Sequence, residues 1–232
     1  MKIMKVLAIG AHPDDIEIFM LGLLMSCKAR KDKIYMAVAT DGAAGNVLDY
    51  SDLVNIRKRE STNALKDLGE IFFLDFPDGE LSYNKDAPQD IKKFILKINP
   101  DLIITHAPED YHPDHRSLSH YVSQAAGFNC PVLFADTLMG VNFIPEYYLD
   151  ISSHIEKKKK AIFEHKSQSP KKFYEATLLL NRFRSAQCNT ADGQYAEAYR
   201  FEKRFPFSDI RSLLPNSPSI NPFYKSNLKS LI

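Results

Sequence analysis

Short apolar runs alternate with longer mixed segments along most of this chain. Five apolar runs have the length of buried strands, at residues 5–10, 34–39, 71–74, 102–105 and 132–135. Six further segments have helical length, at residues 15–30, 51–68, 90–98, 117–126, 152–164 and 173–185. Strands that alternate with helices in this way predict an α/β fold, in which a mostly parallel sheet carries helices on both faces.

The length of 232 residues is enough for one α/β domain with a sizeable core and does not require a second. We expect residues 1–205 to form this domain. Residues 206–232 contain several prolines and serines, which predicts an irregular tail that packs on the domain or extends from it.

Charge and composition exclude several classes of partner. Thirty basic and 29 acidic residues give a net charge of +1, so electrostatics favour neither nucleic acid nor an anionic membrane as a partner. The four lysines at residues 157–160 are interpreted as the solvated face of a helix. No apolar stretch has membrane-spanning length, and no signal peptide is recognised at the N-terminus. Three cysteines without Cys-x-x-Cys spacing fit a reducing compartment, so we expect a cytoplasmic protein.

Two polar segments carry the candidate chemistry, at residues 11–15 (AHPDD) and residues 112–115 (HPDH). Each follows an apolar run at the point where a parallel strand would end, and ligands of such sheets bind outside the carboxyl ends of the strands. Together they offer three imidazoles and three carboxylates. A catalytic zinc site takes three protein ligands and keeps a position open, so the two segments indicate a metal-dependent hydrolase.

The first segment contains two candidate metal ligands and a candidate general base. His12 and Asp15 are three residues apart where a strand turns into a helix, so both can face one point. Asp14 lies between them and need not bind the metal. A carboxylate beside an activated water is suited to act as a general base.

The second segment leaves the roles of its histidines open. His112 and His115 have the same three-residue spacing, so one can complete the ligand set while the other faces the substrate. Asp114 is placed to hold an imidazole in one tautomer. A single His-Pro-Asp could instead be a turn or a helix cap, but two at corresponding strand ends are hard to attribute to capping.

Residues 11–17 (AHPDDIE) and 111–116 (YHPDHR) resemble the two signature motifs of the LmbE/PIG-L family, zinc-dependent deacetylases of compounds that contain N-acetylglucosamine. Further segments that resemble the family lie at residues 57–60 with 68–69, 76–79, 150–151 with the lysine-rich helix, and 165–168 (HKSQ). The chain is identified as a member on these motifs, and the fold that the resemblance implies is Rossmann-like.

The resemblance implies one Zn²⁺ per chain, other divalent ions being possible, with His12, Asp15 and His115 as its ligands. The activity it implies is removal of the acetyl group from an N-acetylated amino sugar, in a small soluble glycoside or sugar conjugate, by water that the metal activates. No hydrophobic anchor for a lipid-linked sugar is visible. A homo-oligomer is compatible with these expectations.

The remaining roles also follow from the resemblance. Asp14 corresponds to the general base, and His112 to the group that faces the developing oxyanion. Arg57 matches an arginine that contacts the sugar or its substituents. We add the hypothesis that the Asp114 carboxylate keeps the His112 imidazole protonated and oriented, which makes Asp114 a part of the catalytic group.

Two other classes of protein compete with the hydrolase. A metal-containing module that binds carbohydrate or serves assembly without catalysis would not need Asp14, an unligated carboxylate beside the metal, so that residue favours the enzyme. A dinucleotide-binding oxidoreductase fits the fold, but the first strand lacks the Gly-x-Gly-x-x-Gly turn and would bring carboxylates toward a pyrophosphate.

Two segments depart from the family pattern. Many members have a glutamate and glycines where residues 42–45 read GAAG, so the substrate contacts of this loop are not transferred. Many also have small residues where this chain has Phe19 and Met20, for which we expect tighter helix packing.

Overall fold

The computed structural model describes residues 3–45, 50–188 and 194–219. Its strands are β1 (Lys5–Gly10), β2 (Lys33–Thr40), β3 (Glu70–Phe76), β4 (Leu102–Thr105), β5 (Val132–Ala135), β6 (Tyr147–Asp150) and β7 (Ala196–Phe201). Its α-helices are α1 (Asp15–Phe19), α2 (Leu21–Ala29), α3 (Leu53–Leu65), α4 (Ala87–Ile98), α5 (Pro113–Ala126), α6 (Ile155–Glu164) and α7 (Pro170–Gln187).

The strands form a seven-stranded sheet in the order β3-β2-β1-β4-β5-β7-β6. The pairs from β3 to β5 are parallel, whereas β7 pairs antiparallel with both β5 and β6. The chain moves outward from β1 in one direction through β2 and β3, and in the other through β4 and β5. Strand order therefore reverses between β1 and β4, which creates the crevice where such sheets bind ligands.

Alternate residues of β1 point into two separate apolar cores. Val6 and Ala8 belong to the core that contains α1, α2 and residues of α6, whereas Leu7 and Ile9 belong to the core formed with α4 and α5. A strand that is covered on both faces reads as a continuous apolar run, as β1 does. The predicted α/β fold with helices on both faces of a mostly parallel sheet is confirmed.

The segment predicted as one helix over residues 15–30 is two helices, broken at Met20, whose φ is −130°. The Glu197 carboxylate of β7 accepts hydrogen bonds from the backbone N–H groups of Gly22 (2.9 Å) and Leu23 (2.8 Å), and so satisfies the first turn of α2. A Cβ at Gly22 would lie 2.3 Å from Ile151 Cγ2. The break allows this close approach, which a sequence pattern does not show.

Two strands and several helix starts were not predicted. β6 and β7 add the antiparallel edge, and neither of them is among the five apolar runs that predict strands. Helix α5 begins at Pro113, inside the second polar segment, rather than at residue 117. Proline is favoured in the first turn of a helix, so the segment supplies both the helix start and the site.

Part of the proposed tail packs against the sheet. Ile210 and Leu214 are buried in the first core, and the Tyr147 hydroxyl donates a hydrogen bond of 2.8 Å to the carbonyl of Pro215. Residues 220–232 lie outside the described residues. Within the described ranges, every helix is too short or too polar to cross a membrane.

A buried ion pair joins β7 to α6. Its removal is expected to lower the free energy of unfolding strongly. Lys158 Nζ lies 2.6 Å from Glu197 Oε1, and both side chains are almost fully buried. The interpretation of residues 157–160 as a solvated face is therefore wrong for Lys158, whereas the other three lysines are exposed. Glu197→Ala should lower the free energy of unfolding by about 3–5 kcal/mol, because it leaves the Lys158 ammonium buried without a partner. Urea unfolding measures the loss. The exposed Glu175→Ala in α7 is the matched control, for which less than about 0.5 kcal/mol is expected. A loss below about 1 kcal/mol for Glu197→Ala would contradict this account.

Candidate functional site

The two polar segments meet where strand order reverses. Residues 11–15 leave β1, and the chain from residue 106 to α5 leaves the adjacent β4. The ring centroids of His12 and His115 are consequently 5.1 Å apart, although 103 positions separate them in sequence. Gly10 permits this arrangement, because a Cβ there would lie 2.9 Å from the Cβ of Asp15. The sequence places glycine where α1 must start directly against the end of β1.

His12, Asp15 and His115 bring three ligand atoms into one small triangle. His12 Nδ1 lies 3.2 Å from His115 Nε2 and 3.5 Å from Asp15 Oδ2, and His115 Nε2 lies 3.3 Å from Asp15 Oδ2. Atoms bound tetrahedrally to zinc at 2.0–2.2 Å are about 3.3–3.6 Å apart. The three residues therefore fit the donor set of one such ion.

Other groupings of the same cluster are possible. Nitrogen atoms of His12, His112 and His115 lie within 4.8 Å of one another. The same is true of ligand atoms of Asp15, His106 and His115, and of His12, Asp78 and Asp114. We favour the triangle of His12, Asp15 and His115, because its sides of 3.2–3.5 Å match the spacing of bound ligand atoms. In contrast, His106 Nε2 already accepts a hydrogen bond from the backbone N–H of Ala11.

Each imidazole of the triangle presents its second nitrogen to a carboxylate. His12 Nε2 lies 3.2 Å from Asp114 Oδ2 and 3.2 Å from Asp78 Oδ1, and His115 Nδ1 lies 3.1 Å from Asp110 Oδ1. Carboxylates at this position fix the ring orientation of a metal-binding histidine and raise its basicity. The surroundings of the triangle are thus those of a metal site.

The Asp114 carboxylate serves a different imidazole from the one we expected. Its oxygens lie against His12 and accept hydrogen bonds from the backbone N–H groups of Gly79 (2.8 Å) and Leu81 (3.1 Å). The contact between Asp114 and His112 runs instead from the Asp114 backbone N–H to His112 Nδ1, at 3.2 Å. The hypothesis that the Asp114 carboxylate holds the His112 ring is therefore corrected, since the carboxylate is turned toward His12.

The hydrogen bond from Asp114 and the surroundings of His112 favour its neutral imidazole over the imidazolium. Its Nδ1 accepts the Asp114 backbone hydrogen bond, so the ring proton belongs on Nε2. Burial lowers the pKa of His112, and the nearby imidazoles of His12 and His115 lower it further. A neutral ring with an N–H at Nε2 can still donate a hydrogen bond to an oxygen.

Asp14 has an unusual backbone and an unusual carboxyl group. Its φ is +132°, a backbone conformation that residues other than glycine rarely adopt. Such strain persists where the surrounding structure fixes it, and it concentrates at functional sites. Burial raises the pKa of Asp14 to about 6, although the Arg57 guanidinium, whose Nη2 is 3.4 Å away, acts in the opposite direction.

Arg57 is buried in the wall of the site, and its hydrogen bonds go to the protein. Its Nη2 donates to the carbonyl of Pro13 (2.7 Å) and its Nη1 to the carbonyl of Gly42 (2.9 Å). Arg57 also borders the pocket, so its contact with a substrate stays a proposal. Its observed partners make it a link between the backbone directly before Asp14 and the loop that follows β2.

The site opens into a pocket of about 240 Å³. Polar groups of the two segments line one part of it, and apolar side chains line another. The lining residues are His12, Asp14, Asp15, Ile18, Phe19, Ala44, Gly45, Arg57, Asp78, Tyr111, His112, His115, Leu138, Gln168 and Phe173. Phe19, for which we expected only tighter packing, borders this pocket, and its ring meets the His115 ring edge-on at a centroid distance of 6.1 Å.

The cluster carries an excess of negative charge. Five carboxylates converge on it, those of Asp14, Asp15, Asp78, Asp110 and Asp114. Burial alone would lower the pKa of His115, but the carboxylates of Asp15 and Asp110 outweigh it and raise that pKa to about 9. An environment that favours positive charge so strongly is suited to hold a divalent cation.

Sequence reasoning missed three side chains that support the triangle: Asp78, His106 and Asp110. His106 is fully buried, lies with Nε2 3.0 Å from Asp15 Oδ2, and stacks on the His115 ring at a centroid distance of 3.7 Å. Its place directly after β4 was a usable signal, since polar residues at that end of the sheet face the crevice. Asp78 follows β3 in the same way.

Comparison with known proteins identifies the family. The model of the GlcNAc-PI de-N-acetylase (PIG-L) family matches residues 7–126, which contain both polar segments. The chain belongs to this family. The predicted LmbE/PIG-L membership is confirmed, and deacetylases of this family depend on a metal ion.

Individual relatives agree with this assignment. The chain is 29% identical over 220 residues to the diacetylchitobiose deacetylase of Thermococcus kodakarensis, covering 85% of this chain and 82% of that protein. It superimposes with a TM-score of 0.74 on the N,N'-diacetylchitobiose deacetylase of Pyrococcus horikoshii, at 25% identity and with 88% and 87% of the two chains covered. The predicted class of enzyme, an amide hydrolase acting on a bond other than a peptide bond, is confirmed.

The same fold also occurs with another activity. The 4-carboxy-2-hydroxymuconate hydratase of Pseudomonas putida matches with a TM-score of 0.75 at 17% identity, over 90% of this chain and 100% of that one. That likeness shows the fold alone. The assignment to deacetylases therefore depends on the family match and on the residues of the site.

The geometry predicts that His12 is needed for metal binding. His12→Ala removes one corner of the triangle, so the variant should lose most of its metal, whereas the wild-type chain should bind one divalent ion. Elemental analysis after gel filtration measures the content. His120→Ala, an exposed position on α5, is the control and should keep one ion per chain. Full occupancy in His12→Ala would refute the ligand assignment.

Proposed function

We propose that this protein removes the acetyl group from an N-acetylated amino sugar of the N-acetylglucosamine type, with a divalent ion, most simply zinc, held by His12, Asp15 and His115. The observation that carries the proposal is the triangle of 3.2–3.5 Å with the unligated, buried Asp14 beside it. When bound, the ion supplies Lewis-acid chemistry that activates water and polarises an amide carbonyl.

Asp14 is the proposed general base. In the hydrolysis, a water oxygen bonds to the amide carbon, and the carbon–nitrogen bond then breaks to give acetate and an amine. The Asp14 carboxylate takes the proton that the water loses and returns it to the departing nitrogen. Arg57 stabilises the ionised carboxylate, and its bonds to the carbonyls of Pro13 and Gly42 hold the strained backbone in place.

His112 is the proposed donor to the amide oxygen. Negative charge develops on that oxygen during attack, and a preorganised N–H stabilises it more in the transition state than in the ground state. The Nε2–H tautomer that the backbone of Asp114 imposes supplies this donor. Asp114 then acts on the site through His12, as an orienting carboxylate.

The size of the pocket and the relatives support a sugar substrate. Pockets for drug-sized ligands are about 300–1,000 Å³. A volume of about 240 Å³ is enough for one sugar residue with its acetyl group. The family description names a GlcNAc compound and the relatives are deacetylases of diacetylchitobiose, which favours a glucosamine-type sugar.

Acetate release tests the proposal. Zinc-loaded protein is incubated with N-acetylglucosamine, N,N'-diacetylchitobiose and N-acetylgalactosamine, and acetate and primary amine are measured. We expect equal amounts of both products from at least one of the glucosamine compounds, and none after treatment with a chelator. Metal-loaded protein that binds these sugars but releases no acetate would indicate a binding module instead.

Asp14→Asn separates the base from the ligands. The amide has the same shape but cannot accept the proton, so turnover should fall by about a hundred- to ten-thousand-fold. Metal content should stay at one ion per chain, because Asp14 is not a corner of the triangle. Turnover and metal content are measured on the same preparation. Parallel loss of metal would make Asp14 a ligand.

His112→Ala tests the oxyanion role. It should lower kcat by about a hundred- to thousand-fold, because the lost hydrogen bond strengthens in the transition state. KM and metal content should change little. Steady-state kinetics with metal analysis measure both. Normal turnover, or loss of the metal, would contradict the role.

A further inference from the structure

The segment at residues 165–168 joins three separate parts of the site. His165 Nε2 lies 2.8 Å from Glu17 Oε1 of α1. Ser167 donates from its backbone N–H (2.9 Å) and its hydroxyl (2.6 Å) to the two oxygens of Glu60 on α3. His165 and Ser167 are both 1% exposed, whereas the Lys166 side chain between them is exposed. The segment is therefore fixed on both sides of an exposed position.

Gln168 extends from this fixed segment to the loop that follows β2. Its Nε2 donates a hydrogen bond of 2.8 Å to the carbonyl of Gly45, and Gln168 itself is only 6% exposed. A Cβ at Gly45 would lie 2.9 Å from Gln168 Oε1 and 2.7 Å from Arg57 Nη1. The loop backbone thus packs directly on these two side chains, with no space for a side chain of its own.

The same loop is held at two further backbone atoms. Arg57 donates to the carbonyl of Gly42, and the Asp78 carboxylate accepts from the backbone N–H of Ala44 at 3.0 Å. Ala44 and Gly45 line the pocket, as does Gln168. Among the contacts of residues 41–45, the described part of this loop, the one from Gln168 comes from outside the sheet-edge loops and α3.

We propose that Gln168 is a positioning residue for the substrate, which sets the position of the Ala44–Gly45 wall against which the sugar binds. This inference rests on the proposed function, because it concerns the substrate of the same pocket. The hydrogen bond to Gly45 fixes the distance between that wall and the α7 side of the pocket, where Phe173 lies. Substrate binding, rather than the chemical step, then depends on Gln168.

Three variants separate the hydrogen bond from simple space filling. Gln168→Ala removes both the donor and the volume, and Gln168→Met keeps much of the volume without the donor. Gln168→Glu keeps the shape but turns a carboxylate oxygen toward the Gly45 carbonyl. Lys166→Ala, at the exposed position of the same segment, is the matched control. Each variant is prepared with metal, and metal content and thermal midpoint are recorded.

All three variants should raise KM for the best glucosamine substrate by about tenfold while kcat changes less than about threefold, since one lost hydrogen bond corresponds to roughly that factor in binding. Lys166→Ala should behave as wild type. Binding of glucosamine, which has no acetyl group to lose, is measured by calorimetry and should weaken by a similar factor. Wild-type KM and affinity in Gln168→Met would show that volume alone matters and would overturn the proposal.

A double-mutant cycle tests the contact itself. Gly45→Ala should also raise KM, because its Cβ collides with Gln168 and Arg57. In the Gln168→Ala background, the fold-increase in KM caused by Gly45→Ala should be smaller by a factor of about three or more. The reason is that the effects of substitutions at two residues in contact are not additive. Additive effects would contradict the contact. If the wild-type protein binds glucosamine but releases no acetate, the proposed function fails, and calorimetry of the variants still decides this inference.

Discussion

The histidines of this site are arranged around one carboxylate oxygen, Asp15 Oδ2. It accepts the backbone N–H of His12 at 2.7 Å and lies 3.0 Å from His106 Nε2 and 3.3 Å from His115 Nε2. Three histidines from two distant segments thus converge on a single buried atom. The neighbouring carboxylates add negative charge to the cluster, which favours positive charge at its centre. Asp15 therefore contributes both to the negative charge that attracts a cation and to the geometry of the triangle.

The fold holds this cluster through constraints on the backbone. Gly10 lets α1 begin against the end of β1, and Glu197 satisfies the first turn of α2 across the sheet. Arg57 ties the carbonyl of Pro13, directly before the strained Asp14, to the carbonyl of Gly42 in the loop after β2. Because these supports come from different elements, Asp14 keeps a conformation that an isolated turn would not adopt. The position of Asp14 beside the triangle, and not within it, follows from this support.

The parallel part of the fold could be predicted from the sequence, whereas the members of the triangle were expected from the family resemblance, because the residues alone left the roles of His112 and His115 open. Apolar runs of strand length specify buried parallel strands, and the polar segments after two of them indicate the crevice. The antiparallel pair β6 and β7 could not be predicted in this way, since Glu197 inside β7 is polar and buried by partners that are distant in sequence. The break at Met20 has the same cause, because the group that satisfies α2 lies 175 residues from Gly22.

The sequence also could not predict which carboxylate each imidazole contacts. The three-residue spacing indicates which side chains can face one point, but the direction of a carboxylate depends on all its contacts. Asp114 turns toward His12 because the backbone N–H groups of Gly79 and Leu81 bind its oxygens. His106 resembled any other residue after a strand until the structure showed it stacked on His115. Such details depend on contacts between loops.

X-ray absorption at the zinc edge of the metal-loaded wild-type protein tests the central claim most directly. The account predicts one zinc per chain in a shell of nitrogen and oxygen atoms at about 2.0–2.2 Å. Outer-shell scattering should show two imidazoles. Sulfur at about 2.3 Å, or fewer than two imidazoles, would contradict the assignment of His12, Asp15 and His115 as the metal site.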